Sequence, residues 1–130
     1  AMSGPPAHRH QIEFAEDLAR YFRAPRSDST ILIQYNQQPA MSRPITFRGT
    51  AHGQYVDIWR LGLPTATMGG PQYQNRVIRF ERVAGTPRFY RLEVANVDSR
   101  AARRWRREAN RRGHVNFTGR GAGREYGFYA

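Results

Sequence analysis

The chain has 130 residues, enough for one domain around one core, and its seven Phe, seven Tyr and two Trp are sufficient to close it. It carries 21 basic and 10 acidic residues, a net charge of +11, and every basic residue is Arg. Without Lys there is no Walker A loop or Schiff-base chemistry, and without Cys no disulfide, thiolate-bound zinc or thiol nucleophile.

Codon bias in a GC-rich genome accounts for the missing Lys, but it does not remove acids, so the surplus of +11 calls for a polyanionic partner. No apolar run approaches the roughly 18 residues that would cross a membrane. The opening Ala1–Pro6 has no apolar signal core, so a cytoplasmic location is expected. Residues 1–7 read as a flexible leader and 8–130 as a single domain, one that could have been excised from a larger protein.

From His8 to Arg23 the spacing predicts a helix, with Ile12, Phe14, Ala15, Leu18, Tyr21 and Phe22 on one face and Glu13, Glu16, Asp17 and Arg20 on the other. Pro25 stops it. Strands are predicted at 30–35, 45–48 and 54–61, with a polar, proline-bounded loop from Asn36 to Pro44 and another loop from Gly62 to Pro71. Residues 76–83 and 88–94 form a hairpin across Ala84–Pro87. Asp98 is the expected N-cap of a second helix, 99–112, which Gly113 ends. Strands at 114–117 and 125–129 close the chain around a glycine-rich loop. These elements predict an α+β domain: a mostly antiparallel β pseudobarrel of about seven strands flanked by two helices.

The second helix carries the strongest functional signal. Arg100, Arg103, Arg104, Arg106, Arg107, Arg111 and Arg112 crowd about fifteen residues around a narrow stripe of Ala101, Ala102, Trp105 and Ala109. Like charges three and four residues apart repel, and bound phosphates relieve that repulsion. Arg100, Arg103, Arg104, Arg107, Arg111 and Arg112 are therefore candidate phosphate ligands. Arg120 and Arg124 join them, because Gly119, Gly121 and Gly123 let backbone amides approach an anion there. A solvated basic face balanced by acids elsewhere is the bland alternative. Gln34, Asn36, Gln37, Gln38 and Arg43 are candidates for reading bases, since amides pair with adenine and guanidinium with guanine. Tyr35, Tyr73, Tyr126 and Tyr129 are candidates for stacking on unpaired bases, or else rim residues of the core.

Catalytic signals are weaker. His52 and His114 could act as the base and acid of a metal-free ribonuclease, and Asp57, Glu81 and Glu93 could hold a magnesium ion. Each carboxylate lies beside arginines in an alternating strand, where charge balance is the commoner role. No metal site or cofactor is assigned, and the chain is not expected to be an enzyme by itself.

The order of elements resembles the B3-like DNA-recognition domains of bacterial restriction endonucleases and plant transcription factors. That resemblance implies a seven-stranded pseudobarrel with two short helices that grips the major groove with two loop-bearing arms. The early arm would be Gln34–Arg43. The later arm would fall on the short Ala84–Pro87 turn or, in a shifted register, on Gly62–Asn75. The expected function is a duplex-DNA-binding module of a restriction or defence protein, whose catalytic domain would lie elsewhere. The rivals are an RNA- or single-strand-binding protein, a small ribonuclease or toxin, and a module that binds an acidic protein.

Overall fold

A computed structural model describes residues 11–49 and 57–111 and the strands at 115–117 and 125–127, with side chains through Ala109. In chain order the elements are β1 (Gln11–Phe14), α1 (Glu16–Phe22), β2 (Ser29–Tyr35), β3 (Met41–Arg48), β4 (Ile58–Gly62), β5 (Arg76–Arg82), β6 (Phe89–Asn96), α2 (Arg100–Arg111), β7 (Val115–Phe117) and β8 (Glu125–Gly127). A short 3-10 turn, Ala66–Met68, lies between β4 and β5.

Six strands form one curled, half-barrel sheet in the order β1-β4-β3-β2-β6-β5. Every pairing is antiparallel except β2 with β6, which run parallel. The expected closed antiparallel barrel of seven strands is therefore corrected to an α+β fold with an open, mixed sheet. The reason lies in the last two strands: β7 and β8 pair with each other as a separate ribbon beside α2, not with either sheet edge.

The helix expected over 8–23 is two elements. Ile12 and Phe14 alternate as a strand does, and β1 sets them opposite Leu61 and Trp59 of β4. The helix starts only at Glu16 and ends at Arg23, whose left-handed backbone (φ 53°) turns its amide onto the Arg20 carbonyl. The Asn36–Pro44 loop is shorter than expected, because Met41–Pro44 belong to β3. The 54–61 strand starts at Ile58 within the described residues. The cap of α2 is Ser99, not Asp98: the Ala102 amide donates to Ser99 Oγ at 3.1 Å. The leader, residues 1–7, lies outside the described residues.

The concave face holds the core. Phe14, Ile31, Ile33, Ile45, Trp59, Leu61, Tyr90 and Leu92 are all buried there, and α1 adds Ala19 and Phe22. Phe22 meets Phe80 and Tyr90 edge-on with ring centroids 5.1 Å apart in each pair, a favoured aromatic geometry. Burying these rings and branched side chains contributes about 1.5–3 kcal/mol apiece before entropy is charged. The outer face alternates with it and is polar: Glu13, Arg60, Thr46, Gln34, Arg91, Glu93, Arg79 and Glu81.

Candidate nucleic-acid interface

Helix α2 leaves the end of β6 and lies on the outer face of the sheet. Trp105, Ala102 and Ala109 recur at three-to-four spacing and are buried, so one stripe of the helix faces the protein. Trp105 rests against Arg79, whose register partner is Glu93, so the helix runs back along β6 toward its start. Arg100, Arg103, Arg104, Arg106 and Arg107 are all exposed. Arg100, Arg103, Arg104 and Arg107 follow the i, i+3, i+4, i+7 rule and share the face opposite Trp105. Arg111, the last helical residue, continues that register over about 16 Å of axis at 1.5 Å per residue.

The distribution of acids is uneven. Glu13 pairs with Arg60, Glu16 with Arg20 and Arg26, and Asp57 with Arg26; Glu81 pairs with Arg79 and Arg91, and Glu93 with Arg79. Among the described residues no carboxylate pairs with Arg100, Arg103, Arg104 or Arg107. Among the described residues these five carboxylates thus neutralise arginines of the sheet, of α1 and of the segment after it, and none of them reaches the outward stripe of α2. The trio considered for magnesium is spent in the same way: Asp57 holds Arg26, and Glu81 and Glu93 share Arg79. Among the described residues no group of three or more metal-ligating side chains comes together.

The base-reading candidates sit at the end of the sheet where α2 begins. Strands β2, β4 and β6 share one direction, so the 36–40 turn, the 63–75 loop and the 97–99 linker gather at one end. Specific contacts tie them together. Arg43 Nε donates to the Gly62 carbonyl at 2.9 Å and Nη1 to Met68 Sδ at 3.4 Å. A Cβ added at Gly69 would meet Gln38 at 3.3 Å, and Gly69 adopts a left-handed backbone (φ 86°) open to glycine. The Val97 amide donates to the Asn75 carbonyl at 3.1 Å.

Within this cluster the five candidates differ. Gln34 spends its amide N–H on the Gln38 carbonyl at 3.3 Å and so braces the turn. Arg43 braces the neighbouring loop. Asn36, itself left-handed at φ 54°, and Gln37 lie exposed at the tip. Met68 and Val97, 44% and 40% exposed, share this end of the sheet. Sequence reasoning missed them, because nothing local marks an apolar residue that the fold leaves uncovered.

The stacking candidates are half-buried. Tyr35 and Tyr73 pack against the core, and the Tyr73 hydroxyl donates to the Pro64 carbonyl at 2.6 Å. Burial pushes the Tyr73 phenol well above its ordinary value, against the opposing pull of Arg43. His52, His114, Arg112, Arg120 and Arg124, with the loop of Gly119, Gly121 and Gly123, lie outside the described residues, as do the side chains of Arg111 and Tyr126 and the whole of Tyr129.

Comparison of the chain with known protein families, with curated proteins and with solved structures found no match.

Proposed function

We propose that this chain is a nucleic-acid-binding module that takes duplex DNA, clamping successive phosphates with the arginines of α2. One observation carries the reading: Arg100, Arg103, Arg104 and Arg107 form an exposed stripe that no carboxylate of the described residues neutralises, on a helix held by Trp105. Planar guanidinium groups on a rigid helix suit a rigid polyanion, since each neutralised phosphate releases a counterion. The half-buried state of Tyr35 and Tyr73 favours a duplex over unpaired bases, which need open stacking platforms.

In this reading the 36–40 turn supplies sequence preference. Asn36 and Gln37 reach base edges, while Gln34, Gln38 and Arg43 hold the turn against the 63–75 loop. Those two loops play the parts of the two arms of a B3-like recognition domain. The chain serves a cytoplasmic restriction or defence protein, and any catalysis belongs to another part of that protein. No helix of the described residues is long and apolar enough to cross a membrane.

The test is a binding panel of duplex DNA, methylated duplex, single-stranded DNA and structured RNA at low and physiological salt. Duplex should bind best, with affinity falling steeply as salt rises. A preference for RNA or single strands, or affinity indifferent to salt, would overturn the reading.

A further inference from the structure

The end of the sheet away from the loop cluster carries a second gathering of arginines. Here α1 ends, and β5 turns into β6. Arg23, Arg82 and Arg88 line an open cleft of about 300 Å³ together with the 83–87 turn, Phe89 and Tyr90, and no carboxylate lines it. The surroundings of each guanidinium are specific. Arg82 lies 4.5 Å over the Tyr21 ring and donates from Nε and Nη2 to the Tyr21 carbonyl at 3.1 and 2.7 Å. That bonding fixes it in place. Arg88 donates from Nη2 to Ser29 Oγ at 3.0 Å, while its buried Nε has no hydrogen-bond partner. Arg23 is exposed. Among the described residues neither Arg23 nor Arg88 has an ion pair.

Two features need a cause. A buried donor without a partner costs free energy, and more so on a charged group. Moreover, Arg88 adopts left-handed backbone, φ 56°, where glycine or asparagine is the ordinary occupant. The left-handed backbone of Arg23 is the cap of α1, and it places that arginine at the same cleft. Three like charges in one cleft with no counter-charge among its lining residues repel, and an anion held against Arg23 and Arg88 removes that repulsion.

We propose that this cleft is a phosphoryl-binding site, with Arg23 and Arg88 as the ligands of a phosphate group and Arg82 as a fixed positive neighbour. It is separate from α2: Arg82 alternates with Phe80 onto the core face of β5, whereas α2 covers the outer face. It therefore stands whether or not α2 binds DNA. The phosphate could belong to a free phosphate compound or to the end of a nucleic-acid strand.

The test titrates the whole chain calorimetrically with inorganic phosphate, with pyrophosphate, and with a short duplex carrying or lacking a 5′-phosphate, against chloride at matched ionic strength. Arg23→Asn and Arg88→Asn remove the guanidinium and keep a residue that tolerates the left-handed backbone. Saturable phosphate or pyrophosphate binding, weakened at least tenfold in both variants and unchanged in an Arg103→Ala/Arg104→Ala/Arg107→Ala variant, is the expected result. A preference for the 5′-phosphorylated duplex, lost in the same two variants, assigns the site to strand ends; equal binding of both duplexes assigns it to free phosphate compounds. Phosphate-dependent shifts of the Gly85 and Arg88 amide resonances in the unmodified chain are expected too, and do not depend on the variants folding. No saturation beyond matched chloride, or weakening confined to the α2 variant, overturns the proposal.

Discussion

The Arg79 guanidinium carbon lies 6.0 Å from the centroid of the Trp105 ring, so a cation of the sheet faces the aromatic anchor of the basic helix. Arg79 is held from its other side by Glu93, its register partner, and by Glu81. Helix, ring, guanidinium and the carboxylates of Glu81 and Glu93 thus form a stack, and neither of those two acids pairs with an arginine of α2. The charge of α2 beyond Trp105 is left for something outside the described residues.

Trp105→Ala should detach the helix. Trp105 is 9% exposed, and truncating a buried Trp costs about 3–5 kcal/mol; the cation–π interaction is a small part of that. Urea unfolding should show a drop of this order, and duplex affinity should fall with it. A variant with full stability would mean that α2 is not anchored through this ring.

Arg103→Ala/Arg104→Ala/Arg107→Ala should separate binding from folding. The three side chains are exposed and, among the described residues, unpaired, so stability should stay the same or rise by a few tenths of a kcal/mol as like-charge repulsion is relieved. The slope of log affinity against log salt for duplex DNA should shrink by about 0.9 for each phosphate no longer neutralised, hence by up to about 2.7. An unchanged slope would show that these arginines do not touch phosphates.

How legible this was in the sequence depended on whether the signal was local. Trp105, Ala102 and Ala109 declare a buried stripe by spacing alone, and the structure buries all three. Strand β1 was hidden because Phe14 fits both the period of two that starts at Ile12 and the helical period that ends at Phe22. Pro39 and Pro44 suggest a loop, yet Pro44 pairs opposite Thr30 of β2; the register with β4 begins only at Ile45, so Pro44 stands outside that ladder and its missing N–H is tolerated. The parallel pairing of β2 with β6 joins residues more than fifty positions apart and leaves no local trace. The bracing roles of Gln34 and Arg43 depend on Gln38, Gly62 and Met68, partners that only the fold supplies.

Alkaline pH should unfold the protein through Tyr21. Burial is the main cause that raises its phenol from 10.0 to about 12, with Arg82 above the ring pulling the other way. The neutral phenol is thus favoured in the folded state. Its contribution is complete below pH 10 and is lost as pH climbs toward 12, because the unfolded chain ionises first. Burial also raises Tyr90, which acts in the same direction. Phenolate absorbance should therefore show a late-titrating class that loses one member in Tyr21→Phe. That variant should lose about 1 kcal/mol at neutral pH, since the hydroxyl donates to the Phe80 carbonyl at 2.7 Å, and should decline less steeply above pH 10.

Arg43 and the pair Asn36–Gln37 should respond differently to substitution, although all lie in one candidate reading loop. Arg43 donates to the Gly62 carbonyl and to Met68, so Arg43→Ala removes both bonds and loosens the 63–75 loop. A charged hydrogen bond of this kind is worth about 1.5–3 kcal/mol, and the thermal midpoint should fall accordingly. Asn36→Gly with Gln37→Ala preserves the left-handed turn and removes only exposed amides, so stability should hold within about 0.5 kcal/mol. If these amides read adenine, the double variant should lose about 1–3 kcal/mol of discrimination between duplex sequences while keeping its affinity for random DNA. A selection from randomised duplexes measures both quantities. Unchanged sequence preference in the double variant, with altered preference in Arg43→Ala at full stability, would reverse the two roles and make Arg43 the reader.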